Sequence, residues 1–161
     1  MSQANKPIPD GHAGLIPHLV CSPCAKALEF YKQAFGAVET CRLPAPGSDK
    51  IMHAQMTIDG LPIFLADDFP EFCGGNSQSP QTLGGTPVTI HRYVENCDAA
   101  IERAIEAGAT PKMPVQDMFW GDRYGLVVDP FGHSWSFATH LRDMTTEEMA
   151  EAMKVAFSQM Q

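Results

Sequence analysis

The chain carries six histidines among its 161 residues, and two of them repeat. His18 and His91 each open the pattern H-x5-C-x2-A-[LI]-E, running to Cys24, Ala27-Leu28-Glu29 in one copy and to Cys97, Ala100-Ile101-Glu102 in the other, an offset of 73 residues. Imidazole titrates near neutral pH, so it can hydrogen-bond a ligand, move a proton or bind a metal. His53, two residues before Gln55, is a third candidate. His18, His53 and His91 together would hold zinc with one position open. The plainer reading, which we prefer, is that these residues line a polar cavity and hydrogen-bond a small ligand or each other. His12, His133 and His140 receive no role.

A second cluster is Phe119-Trp-Gly-Asp-Arg-Tyr-Gly125. Arg123 would clamp a carboxylate or phosphate, and Trp120 would stack on a flat ligand. The alternative pairs Asp122 with Arg123 to fix the loop and leaves Trp120 filling the core edge. Cys21-Ser-Pro-Cys24 has the CxxC form, and redox work would need a thiol pKa lowered at a helix N-terminus. Cys97 stands at the equivalent place in the second copy, so packing of a small residue between helix and sheet explains both.

These side chains need elements to position them. Leu15–Val20 reads as a strand. Leu28, Tyr31 and Phe35 then share one helical face, with Gly36 as the left-handed residue that ends the helix. Strands follow at Val38–Leu43, Ile51–Ile58 and Leu61–Ala66, the last two joined by an Asp59-Gly60 hairpin turn. The second copy gives a strand at Val88–Val94 and Asn96 as N-cap. Its helix buries Ile101, Ala104 and Ile105 and ends at Gly108. Strands near Pro111–Val115, Gly125–Val128 and Ser134–His140 complete it, with Asp129-Pro-Phe-Gly132 as a turn. The order is strand, helix, three strands, twice. Strand alternation sets Ile16, His18 and Val20 on one face. In the second copy it does the same for Thr89, His91 and Tyr93, and for Ser134, Ser136 and Ala138, leaving Trp135 and Phe137 beneath the helix.

The segment Asp67–Thr86, rich in Gly, Pro, Ser and Gln, joins the copies. Thr145-x-x-Glu148 is a capping box opening a last helix whose Met149, Met153, Ala156 and Met160 share a face, expected to dock on its own chain or a partner. One domain over 1–161 is expected, with modules at about 14–68 and 87–140, the 67–86 loop between them, and the final helix at about 145–159.

Composition narrows the partners. The net charge is −8, with 11 Lys and Arg scattered along the chain, which disfavours nucleic acid and anionic membranes. There is no apolar run long enough to span a bilayer and no signal-peptide pattern in Met1–Gly14, so a cytoplasmic protein with its five cysteines reduced is expected.

The patterns around His18, Ala27-Leu-Glu-Phe-Tyr31, Phe35-Gly-Ala37, Met52-His-Ala-Gln-Met56, Phe119–Gly125 and Asp129-Pro-Phe-Gly-His133 resemble the glyoxalase/bleomycin-resistance (vicinal oxygen chelate) superfamily, in particular its PhnB-like branch. The resemblance covers nearly the whole chain. It implies an α+β fold of two βαβββ modules forming an incomplete eight-stranded mixed barrel around a cavity, plus the C-terminal helix, and a homodimer. It also implies metal ligands at four positions, which fall on Ile16, Phe64, Thr89 and Ser136. These are poor divalent-metal ligands, so the usual site is expected to be missing. The reading is then a small-molecule-binding protein with no metal cofactor and with His18, His53, Thr89, His91, Tyr93, Trp120, Arg123, Ser134 and Ser136 as cavity candidates. The alternative is a lyase- or dioxygenase-type enzyme using a displaced zinc site at His18, His53 and His91, or histidine acid/base catalysis.

Overall fold

The computed structural model describes residues 6–158; the first five residues and Met160 lie outside the described residues. The chain divides into two compact units, one ending at Gly85 and the next starting at Thr86.

Unit one contains β1 (His18–Val20), α1 (Cys24–Phe35), β2 (Val38–Pro44), β3 (Ile51–Ile58) and β4 (Leu61–Ala66). Its sheet has the order β1-β4-β3-β2, with β1 parallel to β4 and the other pairs antiparallel. After β4 come a turn of 3-10 helix (Pro70–Phe72) and a short α2 (Pro80–Leu83). Unit two repeats the plan with β5 (Thr89–Tyr93), α3 (Cys97–Glu106), β6 (Thr110–Asp117), β7 (Asp122–Val128) and β8 (Ser134–His140), in the order β5-β8-β7-β6. The helix α4 (Thr146–Ser158) follows. The two βαβββ modules are therefore present, each hydrogen-bonded as its own four-stranded mixed sheet.

The duplication reaches the polar anchors of each helix. The first N–H of α1, on Cys24, donates to Asp67 Oδ1 at 3.0 Å, and Asp67 Oδ2 accepts from the Ile51 N–H at 2.6 Å. In unit two the Cys97 N–H donates to Thr139 Oγ1 at 2.9 Å, and that hydroxyl donates to the Val94 carbonyl at 2.9 Å. Asp67 and Thr139 are repeat-equivalent, and each satisfies a helix N–H that has no partner within the helix. Asn96 caps α3 as expected, accepting from the Ala99 N–H at 3.0 Å. Gly36 ends α1 at φ 66°. Asp59 and Gly60 both take positive φ, 52° and 78°, as a two-residue hairpin turn of this kind requires.

The apolar faces follow the predicted stripes. Leu28, Tyr31 and Phe35 are buried in unit one, and Trp135, Phe137 and Val127 in unit two. Gly125 lets α3 close on its sheet: a Cβ there would lie 3.0 Å from Val115 and 3.3 Å from Ile101. Ile105 departs from the expectation, being 40% exposed; Ile101 and Ala104 suffice to cover the sheet. β1 begins at His18 rather than Leu15, because Pro17 offers no N–H and contributes only its carbonyl, which accepts from Phe64 N–H at 2.9 Å. β6 and β7 run longer than expected, and β7 starts at Asp122.

The 67–86 connection is an organised segment. The Asp68 carboxylate accepts from the Ser77 hydroxyl and from the Gln78 N–H, and Lys50 Nζ donates to the Asp68 carbonyl at 2.8 Å. The Thr145–Glu148 capping box forms reciprocally: the Thr145 N–H donates to the Glu148 carboxylate at 2.8 Å, and the Glu148 N–H to Thr145 Oγ1 at 3.2 Å. No described residue of α4 is buried, so its apolar face is not buried against its own chain. No helix among the described residues is long and apolar enough to cross a membrane. None of the five cysteines forms a disulfide. Burial, and then the Asp67 carboxylate, push the Cys24 thiol up to about 12, the opposite of an activated redox thiol.

Candidate functional site

Each sheet has one face under its helix and another bearing the sequence-predicted side chains. In unit two, parallel pairing sets Thr89 against Ser134, His91 against Ser136 and Tyr93 against Ala138. Thr89 and Ser134 hydroxyls meet at 3.1 Å, and His91 Nδ1 lies 2.8 Å from Ser136 Oγ. His91 is exposed, whereas Ser136 is 2% exposed. The His91 ring stacks on Tyr124 (6.1 Å between centroids) and meets Tyr93 edge-on (4.9 Å). Trp120 packs edge-on against Tyr124 at 5.8 Å.

A buried carboxylate holds this arrangement. Asp122 Oδ1 accepts from His140 Nδ1 at 2.8 Å, and Oδ2 accepts from Tyr93 OH at 3.0 Å and Trp120 Nε1 at 3.2 Å. His140 Nε2 also contacts Asp143 Oδ1 at 3.0 Å. Asp122 and then Asp143 raise the His140 pKa. Burial works to raise the Asp122 pKa, but hydrogen bonds from His140, Tyr93 and Trp120 hold it below the ordinary carboxylate value. The same bond raises the Tyr93 phenol.

In unit one, His18 stands directly opposite Phe64, the position equivalent to Ser136. His18 and His53 rings lie 6.4 Å apart, both edge-on to Phe64 at 6.2 and 5.0 Å. His12 joins them at 6.0 Å from Phe64, its Nδ1 2.9 Å from the Asp10 carbonyl. Desolvation, and then repulsion from His53, lower the His18 pKa.

The structure thus gathers Thr89, His91, Tyr93, Trp120, Ser134 and Ser136 on unit two, and His18 and His53 on unit one. Arg123 does not join them. Strand alternation turns it away from Asp122 and Tyr124, and its guanidinium is held by Asp98 at 2.5 and 2.7 Å and by Asp117 at 2.8 Å. The Asp122–Arg123 pair considered from the sequence is replaced by these separate partners. From the sequence, Tyr124, His140 and His12 receive no role, Asp122 is read only as a partner of Arg123, and Phe64 only as a ligand position without a donor. His140 carried a signal, since it shares the parity of Ser134, Ser136 and Ala138 on a strand read correctly. Asp122 and Tyr124 are hidden because the sequence pattern places the start of this strand near Gly125, whereas β7 begins at Asp122.

The resemblance places the superfamily's metal ligands at positions 16, 64, 89 and 136. Ile16 and Phe64 have no donor atoms, the Thr89 hydroxyl is engaged with Ser134, and the Ser136 hydroxyl with His91. Within each unit, no three His, Cys, Asp or Glu side chains among the described residues form a metal-holding group.

Residues 11–137 match the Glyoxalase/Bleomycin resistance protein/Dioxygenase superfamily. A protein of Mycobacterium bovis is 49% identical over 139 residues, covering 86% of this chain and 91% of its own length. The crystal structure of TioX from Micromonospora sp. ML1 is similar with TM-score 0.60 and 28% identity, over 80% of this chain and 99% of that one. The fold is also that of the fosfomycin resistance protein FosX from Listeria monocytogenes, crystallised with Mn(II) and a dihydroxypropylphosphonic acid (TM-score 0.59, 21% identity, 88% and 98% coverage). Two βαβββ modules define a glyoxalase-type fold, and with this match the chain belongs to the Glyoxalase/Bleomycin resistance protein/Dioxygenase superfamily.

Proposed function

We propose that this protein binds a small organic molecule and does so without the superfamily's usual divalent-metal site. The observation that carries this reading is the face of unit two. It presents His91, Tyr93, Trp120 and Tyr124, ordered by Ser136 and Asp122, instead of the loosely placed charges of an ordinary solvated sheet. Aromatic rings with a few fixed polar groups are the usual lining of small-ligand sites. The donor-poor residues at 16, 64, 89 and 136 support metal independence. Calorimetric titration of metal-stripped protein with zinc, nickel and cobalt is expected to show no stoichiometric binding. A fragment screen read by Trp120 fluorescence, with Trp120→Phe as control, is expected to find ligands; a screen with no response at Trp120 would sink the reading.

A second reading is an enzyme of lyase or dioxygenase type with a displaced metal site at His18, His53 and His91, or with histidine acid/base catalysis. The approach of His18 to His53 supports it. Tight zinc binding lost in both His18→Ala and His91→Ala would put this reading first. In either case the two units work as one domain of the PhnB-like branch, in the cytoplasm, as a homodimer and without nucleic-acid partners. The acidic charge and the exposed Met153, Val155 and Phe157 of α4 support those expectations.

A further inference from the structure

We infer that Ser136 is a positioning residue that holds neutral His91 as a single tautomer, with its proton on Nε2, so that His91 offers a hydrogen-bond donor to an acceptor atom of the ligand. The inference rests on the reading of this face as the ligand site and names the chemistry it selects: a carbonyl, carboxylate or other oxygen acceptor.

The argument is one of hydrogen-bond accounting. Ser136 Oγ lies 2.8 Å from His91 Nδ1, and Ser136 is 2% exposed. Its hydroxyl makes no other hydrogen bond among the described residues. If Nδ1 carried the proton and donated, the hydroxyl hydrogen would be left buried with no acceptor. A buried donor without a partner costs more than an oxygen lone pair left unused. The hydroxyl therefore donates to Nδ1, and in the neutral ring the proton sits on Nε2, as the bond made at one imidazole nitrogen fixes the other. His91 is exposed, and its ring plane is set by Tyr124 and Tyr93.

The neighbouring groups do not compete for that role. Asp122 is occupied by three donors, and Arg123 is held by Asp98 and Asp117. The repeat-equivalent His18 faces Phe64, which offers no hydrogen bond, so the device belongs to unit two alone.

Long-range proton–nitrogen spectra of the 15N-labelled full chain, recorded at alkaline pH where imidazoles are neutral, read the tautomer directly. The expected result is an unprotonated Nδ1 and a protonated Nε2 at His91, a mixture in Ser136→Ala, and recovery in Ser136→Thr, which retains the hydroxyl. A protonated Nδ1 in the wild type, or an unchanged tautomer in Ser136→Ala, would overturn the inference. The same spectra followed during titration with benzoate and with benzylamine test the consequence. Benzoate should shift His91 Nε2 and bind about fivefold more weakly to Ser136→Ala, and benzylamine should leave Nε2 in place. Benzylamine acting on Nε2 as strongly as benzoate defeats the inference but keeps the face as a binding site. No response to either probe at Tyr93, Trp120 or His91 defeats the reading of the face itself, while the tautomer result still stands or falls separately.

Discussion

Units one and two share strand order, register and helix placement, yet their exposed faces differ at the centre. Opposite the repeated histidine, unit one has Phe64 and unit two has Ser136. With Phe64, the imidazoles of His18 and His53 collect around a ring, and desolvation lowers the His18 pKa. With Ser136, His91 gains an oriented hydrogen bond, and Asp122 gathers Tyr93, Trp120 and His140. A duplicated scaffold thus keeps its backbone while one half becomes an aromatic–imidazole wall and the other an ordered polar site. Geometry of the fold alone does not fix what a face can do; the residue at one cross-strand position decides whether its neighbour is solvated, desolvated or oriented.

The largest test of the shared scaffold compares the two helix anchors. Asp67 is buried and serves the N–H groups of both Cys24 and Ile51, whereas Thr139 serves one N–H, that of Cys97, and donates its own hydroxyl to the Val94 carbonyl. Asp67→Ala should cost about 3 kcal/mol, and Thr139→Ala about 1 kcal/mol, because charge-assisted bonds exceed neutral ones and a lost cap is worth about 1 kcal/mol. Urea denaturation of both variants measures this. Equal losses would mean that the anchors are equivalent and that the difference between the units is confined to the exposed faces.

Much of this organisation was legible in the chain. The apolar patterns located β3, β4 and β8 to the residue and both helices to within a turn, because Gly36, Asp59-Gly60 and Asn96 mark ends whose backbone geometry few residues tolerate. Alternation placed Thr89, His91, Tyr93, Ser134 and Ser136 correctly on one face. Arg123 was not legible in the same way. Its role depended on where β7 begins, and Met118–Gly121 carries no hydrophobic alternation to mark that start. The Asp122 hub depends on contacts among three strands and a turn, which no local period encodes. The exposed state of Ile105 likewise reflects how much apolar surface the sheet has left to cover, a tertiary quantity.

The next effect concerns pH and has opposite signs in the two units. The His140 pKa is raised by Asp122 and Asp143, so its stabilising contribution is full below the unfolded value near 6.5 and is lost as pH rises through the higher folded value. The Asp122 pKa is lowered, so its share is present above the unfolded carboxylate value and is lost as pH falls through the depressed folded one. Between these limits, in the weakly acidic range, both contribute. The His18 pKa is lowered: the folded state resists protonation, so His18 costs stability as pH falls through 6.5 and costs nothing above it. His140→Ala should therefore lower the melting temperature most at weakly acidic pH and least at alkaline pH. His18→Ala should raise it relative to wild type at weakly acidic pH and leave it unchanged at alkaline pH. Melting curves taken across this range that moved in parallel for the two variants would erase the electrostatic distinction between the faces.

The smallest expected effect sharpens the comparison within unit two, between the two sides of one strand. Arg123 makes bidentate contact with Asp98 and a further bond to Asp117, but it is 34% exposed, and its partners are 53% and 68% exposed. Screened pairs of this kind contribute about 0.2–1 kcal/mol. Arg123→Gln should therefore reduce stability by about 0.5 kcal/mol and leave the benzoate response of His91 unchanged. The neighbouring substitution Asp122→Asn removes the acceptor charge shared by Tyr93, Trp120 and His140, and it should disturb the His91 and Trp120 signals at once. Adjacent residues on β7 would then separate by readout as they do by direction, since alternation sends one side chain to the helix and the other to the face that bears His91. Loss of probe response in Arg123→Gln would instead couple the two faces through the sheet and restore Arg123 to the site.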